Sequence, residues 1–414
     1  MRVRWILPCR SGIRRPHTGH VLRANVFGSR AGLPTADLTV RAMPHATAKH
    51  YDRDLFLALA GVLVGFGVLM VHSASITSWP TEFEQVYLSR HLIYLLIGAT
   101  AAAICACRSE KFWYSAAPFL FLITGALLVL VLIPGVGTQV KGAQRWLRFG
   151  SFSMQPSELA KVALPLFVCR ILCQRRGQLN NWLASFVPVL LPIGLVVPLV
   201  FVQPDLGTAL FLALGCGIAL FVGGWPMRYF VAATAIAAPL VGGLVAMRPY
   251  QVRRITGFLD TWTDLNQAPY QLKQSLVSLG AGGLSGVGVG RGWQKLSFLP
   301  EANTDFVFAV VGEELGLIGT LGMIAVWIGL YVTGLRMLAR LPRQSFAFLA
   351  GVTLLTQLAL QAMLNVAVVT AMVPPKGISF PLLSYGGSNL VVSLVALGIV
   401  IGLCRQQEHA GRVE

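Results

Sequence analysis

Residues 298–316 read FLPEANTDFVFAVVGEELG, and residues 317–334 continue as LIGTLGMIAVWIGLYVTG. The second stretch carries no charge and is close to the ~20 apolar residues that a helix needs to cross a bilayer. The first holds four carboxylates, Glu301, Asp305, Glu313 and Glu314. A charge at bilayer depth costs about 2.5–3.5 kcal/mol on insertion scales, so these groups must face protein, water or a polar cavity. The reading that decides the fold is therefore a spanning helix with an acidic head.

The same pattern runs along the chain. Of its 414 residues, 55% are hydrophobic and 12% charged, against roughly 25% charged in soluble domains. About ten stretches have the ~20-residue apolar character of a span: 55–76, 90–107, 113–133, 157–173, 183–202, 206–223, 229–247, 306–335, 346–373 and 385–404. They are continuous runs, not alternating ones, which excludes a closed barrel. The expected fold is an all-α polytopic membrane protein of about ten helices, with a large extracytoplasmic loop over 248–305.

The formal net charge is +17, and residues 1–50 supply +8 of it, from eight arginines and Lys49 against Asp37. This segment lacks periodicity and a sustained apolar run, so it is neither a signal peptide nor a folded domain. A disordered basic tail on an anionic leaflet and a start at Met43 both account for it, and neither implies nucleic-acid binding. Residues 51–405 then form the membrane domain and 406–414 a cytoplasmic tail. The seven cysteines lie mostly in or beside spans without metal-ligand spacing, as packing residues do.

An even number of spans places both termini on one side. With the termini cytoplasmic, the inner loops and tail hold eleven lysines and arginines, against Arg90, Lys141, Arg145, Arg148 and Lys376 outside. In that orientation KGAQRW, QPD, the 248–305 loop and PPKGISFPLLSYGG all fall on the outer face. Within the long loop, Leu272, Leu276 and Leu279 suggest a short amphipathic helix near the interface. The glycines from Gly280 to Gly292 show GxGxG spacing, but no strand precedes them. A loop packed closely on other backbone is the simpler reading, with a bed for pyrophosphate as the other.

Glu158 and Lys161 are three residues apart on one helix face, so they can pair; a structural and a catalytic pair both fit. Asp205 can cap the span it precedes or serve a cavity. Thr304 or Asp305 is placed to cap the span that follows it. Gly312, Gly316 and Gly319 form a stripe that admits a close neighbour, so Glu313 and Glu314 read as buried, supporting groups. Asp305, at the interface between water and lipid head groups, is the candidate catalytic carboxylate.

Taken together, FLPEANTDFVFAVVGEELGLIG, KGAQRWLRFGSFSMQPSELAK, QPDLGTALFL and PPKGISFPLLSYGGSN resemble the SEDS family of bacterial cell-wall polymerases, from about residue 52 onward. GEELG and the PKG before SYGG look more like the division branch, FtsW, than the elongation branch, RodA. The resemblance implies a peptidoglycan glycosyltransferase of the cell inner membrane that polymerises lipid II for septal wall synthesis. It also implies a class B penicillin-binding protein and other divisome components as partners. The family's essential aspartate falls on Asp305, and its charged positions on Arg90, Lys141, Arg145, Asp205 and Lys376.

Such a transfer attacks an anomeric carbon with inversion and releases a pyrophosphate. It needs one base, and cations in place of a second, acidic carboxylate. Asp305 is the base in this reading, with Lys141, Arg145, Lys376, Arg253 or Arg254 beside the pyrophosphate. Alternatively Asp305 binds a divalent cation, Mg2+ or Mn2+, that bridges to the pyrophosphate. Any one basic residue alone is equally explained by snorkelling to head groups. A lipid II transporter and a non-catalytic scaffold are the rival classes. No inverted repeat supports the first, and a scaffold would not require Asp305.

Overall fold

The computed structural model describes residues 45–75, 82–140, 143–150, 152–296 and 298–410. The basic extension up to residue 44, the alternative start at Met43 and Lys141 lie outside the described residues. Three helices open the chain: α1 (His45–Ser75), α2 (Glu82–Ala106) and α3 (Glu110–Leu132). Strands β1 (Gly137–Val140), β2 (Ala143–Phe149) and β3 (Phe152–Met154) follow. Then come α4 (Pro156–Gln174), α5 (Val187–Val202), α6 (Leu206–Val222), α7 (Met227–Ala246), α8 (Pro249–Thr263) and α9 (Tyr270–Gly282). Helices α10 (Val307–Leu338), α11 (Phe346–Val369) and α12 (Gly387–Ala410) complete it.

Among the described residues, seven helices are long and apolar enough to cross a membrane: most of α1, α2 and α12, and all of α3, α7, α10 and α11. Helices α5 and α6 are apolar but shorter, and α4 carries Glu158, Lys161 and Arg170. The core lies among α4, α6, α10, α11 and α12, where faces directed at neighbouring helices are fully buried. Peripheral helices leave large apolar side chains uncovered, among them Phe119 on α3 and Val231 and Leu240 on α7. In water such a surface would drive association; lipid is the solvent it suits.

One expectation needs correction: the fold is not purely helical, because Gly137–Val140, Ala143–Phe149 and Phe152–Met154 pair as an antiparallel sheet in the order β1-β2-β3. In β2 the two-residue alternation buries Ala143 and Leu147, and Arg145 shares their face. The strands are too short for that alternation to stand out in the sequence. The helix expected around Leu272 is present as α9, packed on α10 and touching α11. Its Ser275 and Ser278 are buried along with Leu272, and Ser275 Oγ donates to Val369 O at 2.8 Å. The helix with an uncovered apolar stripe is α8, through Val252, Ile255, Leu259 and Trp262. Among the described cysteines, Cys169 and Cys216 are buried as packing residues.

Helix α10 is broken at Gly316, whose φ of 66° and ψ of −161° are open essentially to glycine alone. The break is filled by the glycine-rich loop. Leu317 N and Ile318 N, which in a straight helix would bond Glu313 O and Glu314 O, bond Gly283 O and Leu284 O at 2.9 and 3.1 Å. The freed carbonyls of Glu313 and Glu314 each accept at 3.0 Å from Val287 N and Gly288 N. Four helix groups that would otherwise be orphaned are thus all satisfied. The approach needs the glycines: a Cβ on Gly286 would lie 2.1 Å from Glu314 O. The loop is therefore packed on backbone, as the simpler sequence reading held. Of the small-residue stripe, Gly312 faces Leu279 of α9 and Gly316 faces this loop, while Gly319 meets Leu315 of its own helix.

Candidate active site

The acidic head of α10 is a run of turns, and neither Thr304 nor Asp305 caps the helix. The N-cap is Phe306, with no side-chain capping bond, and Thr304 Oγ1 donates instead to Glu301 Oε2 at 2.9 Å. Two other segments hold this turn. Tyr385 N, from the SYGG motif, donates to Asn303 O at 2.8 Å. Asn365 Nδ2, from α11, donates at 2.7 Å to Asp305 O and at 2.7 Å to Ile378 O. The Asp305 carboxylate lies against Gly377, where a Cβ would stand 3.0 Å from its Oδ2.

Next to Gly377, Lys376 crosses Gly207, whose Cβ position is 3.6 Å from the lysine Cβ and Cδ and 3.8 Å from Asp205 Oδ1. Burial lowers the Lys376 pKa below the ordinary lysine value. Asp205 caps α6 through Thr208 N at 3.1 Å, as its position in QPD suggested, and also accepts from Gln155 Nε2 at 3.3 Å. Arg145 braces the same turn: it donates to Gln203 O at 3.1 Å and Pro204 O at 2.7 Å and lies 3.5 Å from Asp205 Oδ2. Arg254 of α8 reaches Pro375 O at 3.3 Å. Arg145, Asp205, Lys376 and Asp305 therefore form one continuous line at one end of the bundle, and Arg254 joins it at the PPKG loop.

Arg90 enters through a different residue, hydrogen-bonding Tyr385. Burial raises the Tyr385 pKa and Arg90 pulls it partly back, while Tyr94 and Tyr87 add to the rise. Since Tyr385 also holds Asn303, Arg90 is linked to the Asp305 turn by one intermediary.

The supporting carboxylates are deeply enclosed. Glu313 accepts from Trp293 N at 2.6 Å and Gln294 N at 3.1 Å. Glu314 and Lys295 form an ion pair with both side chains fully buried, and Ser73 of α1 donates to the same carboxylate. Glu158 and Lys161 pair at 2.7 Å. That pair connects to the PPKG loop through Gln361, which receives Lys161 Nζ at 3.4 Å and donates to Ser379 O at 2.8 Å. Sequence reasoning did not single out Asn365, Tyr385, Gln155 or Lys295. The signal for Asn365 was present as Gln357, Gln361 and Asn365, polar residues at four-residue steps in an apolar helix. No group of three or more His, Cys, Asp or Glu side chains able to hold a metal occurs among the described residues.

The family model described as "Cell cycle protein", covering FtsW, RodA and SpoVE, matches residues 53–409. The chain is 39% identical over 363 residues to "Probable peptidoglycan glycosyltransferase FtsW" of Geobacter sp. (strain M18), covering 87% of this chain and 98% of that one. It is 35% identical over 366 residues to "Stage V sporulation protein E" of Bacillus subtilis (strain 168), covering 88% and 100%. A solved structure described as "Structural coordination of polymerization and crosslinking by a peptidoglycan synthase complex" superposes with a TM-score of 0.70 at 28% identity, over 85% of this chain and 97% of that one. The rod shape determining protein RodA of Thermus thermophilus superposes with a TM-score of 0.62 at 28% identity, over 85% and 96%. With the family model spanning most of its length, the chain belongs to the FtsW/RodA/SpoVE family.

Proposed function

We propose that the chain is a peptidoglycan glycosyltransferase that polymerises lipid II at the outer face of the cytoplasmic membrane, in septal wall synthesis. Ten helices span the membrane with both termini inside, so that the end carrying Asp305, Lys376, Asp205 and Arg145 faces outward. The observation that carries the proposal is the placement of Asp305. Its carboxylate is not used as a helix cap and lies against Gly377, beside a half-buried lysine. The relatives' printed name, peptidoglycan glycosyltransferase, supports the same reading.

In this reaction the acceptor hydroxyl oxygen bonds to the donor's anomeric carbon as the bond from that carbon to the pyrophosphate oxygen breaks. Asp305 takes the hydroxyl proton, and the electron pair leaves with the polyprenyl pyrophosphate. Lys376 offers the leaving group a positive charge in a partly desolvated position, where it is worth more than in water. Arg145 and Asp205 set the floor under Lys376, and Arg90 holds the SYGG side. In the alternative arrangement Asp305 would hold a divalent cation, Mg2+ or Mn2+, instead of taking the proton. The cation would supply charge neutralisation to the leaving group. A class B penicillin-binding protein is the partner that would cross-link the strands.

The test is lipid II polymerisation by purified protein with its partner transpeptidase and Mg2+ or Mn2+, with products separated on a gel. Wild type makes glycan strands and a folded Asp305→Ala variant makes none. Strands from both would move the base elsewhere. None from wild type, where a related polymerase works, would refute the function.

A further inference from the structure

The Asp305 turn and the Lys376 loop are both irregular. Glu301 holds the left-handed region in the first, at φ 60°, and Ala371 and Leu382 hold it beside the second, at φ 57° and 66°. Neither segment has a helix or sheet ladder to fix its place. Between them stands α11, a regular helix with three buried amides, Gln357, Gln361 and Asn365, one per turn on one face. Gln361 donates to Ser379 O in the loop and to Asn389 Oδ1 on α12, each at 2.8 Å, and accepts from Lys161 Nζ at 3.4 Å. Asn365 serves both sides, with its Nδ2 donating at 2.7 Å to Asp305 O and at 2.7 Å to Ile378 O.

These bonds commit both amide hydrogens of Asn365. Turning the amide over would set its oxygen against two carbonyl oxygens, so the chemistry of the partners fixes its orientation. The side chain is 1% exposed, and solvent cannot stand in for it. Its two partners carry, on adjoining residues, the carboxylate and the ammonium of the proposed site: Asp305 itself, and Lys376 two residues before Ile378.

We propose that Asn365 is a positioning residue for the transfer reaction, fixing the carboxylate-bearing turn and the lysine-bearing loop at a set separation. It does not touch substrate. It acts by holding two irregular segments to one regular helix, so that the Asp305 base and the Lys376 cation are in register before the substrate arrives. The assignment rests on the proposed function above. Misplacement of a catalytic group by about 1 Å costs about a hundredfold in rate, while contacts that bind ground state and transition state alike are untouched.

The sharpest variant is Asn365→Asp, which keeps the shape and removes the paired donor. An ionised Asp would face two carbonyl oxygens, and a protonated one could satisfy a single carbonyl. With lipid II as substrate, Asn365→Asp and Asn365→Ala are expected to lose about a hundredfold in kcat, with KM changed by less than about threefold. Hydrogen exchange of the same proteins in lipid nanodiscs gives a readout independent of turnover. Amides over 298–306 and 374–380 should exchange about tenfold faster in Asn365→Asp, with α12 unchanged. Full kcat in either variant, a loss confined to KM, or unchanged exchange in both segments would overturn the assignment while wild type still makes strands. If wild type makes none where a related polymerase does, the reaction falls and the assignment with it.

Discussion

Replacing Gly316 by Ala should damage the protein out of proportion to one methyl group. The residue lies at φ 66°, ψ −161°, where a side chain costs about 1–3 kcal/mol of backbone strain. A Cβ there would also stand 2.4 Å from Gly286 N and 2.6 Å from Leu284 C and O, so the loop has to withdraw. Withdrawal breaks four backbone hydrogen bonds, two from the loop to α10 and two from α10 to the loop. Each contributes about 0.5–1.5 kcal/mol net, so even the low ends of both ranges give about 3 kcal/mol. The alternative, a straightened helix, recovers the α10 bonds and leaves the loop groups unpaired, at similar cost. Gly322 supplies the control: it lies on the same helix with nothing within 4 Å of its Cβ position, so Gly322→Ala should stabilise by up to about 1 kcal/mol. Thermal denaturation of both variants in detergent measures the difference. A Gly316→Ala protein as stable as Gly322→Ala would refute the account of the broken helix.

Removing one partner of the Lys295–Glu314 pair, by Lys295→Met, leaves a fully buried carboxylate uncompensated and should cost about 3–5 kcal/mol; the further change Glu314→Leu should restore most of it, and thermal denaturation of both decides. Because burial lowers the Lys376 pKa, the ammonium loses its proton at a lower pH than an ordinary lysine, so activity that depends on it should decline early on the alkaline side. Lys376→Arg, which stays charged, should carry the alkaline limb of kcat/KM to higher pH, and an unmoved limb would remove Lys376 from the reaction. The same shift has a stability sign: between the lowered folded pKa and the unfolded value near 10.5 the unfolded state binds more protons, so stability rises with pH across that window. Gly377→Ala puts a methyl 3.0 Å from Asp305 Oδ2 and should cut strand synthesis by about tenfold or more with little change in melting temperature, as read on the polymerisation gel.

The helices were legible because lipid imposes long, continuous apolar runs, which need no knowledge of tertiary contacts. The Glu158–Lys161 pair and the Asp205 cap were legible for a similar reason, since both depend on spacings within one turn. What the sequence hid depends on distant contacts. The partner of Glu314 is Lys295, 19 residues earlier in an irregular loop, and nothing in WQKLSF marks it as buried. Asn365 meets Asp305 across 60 residues. Gly316 reads as one more helix-packing glycine until its dihedral angles show a break. Strands β1 to β3 were overlooked because Gly137 and Gly150 make 137–154 look like a plain loop. Within the candidate site, position and the family resemblance pointed to Asp305 and the cations, while the residues that hold these segments in place emerged from the fold.

The spliced hydrogen-bond ladder of α10 has a consequence for biogenesis. Residues 283–288 leave the ribosome before 313–318, so the loop must wait for its helix and then slot into it. Inserted alone, the α10 segment would close as an ordinary straight span. The broken form exists only after the preceding loop has docked. The α10 segment can therefore lie across the membrane while its hydrogen-bond ladder still awaits the loop.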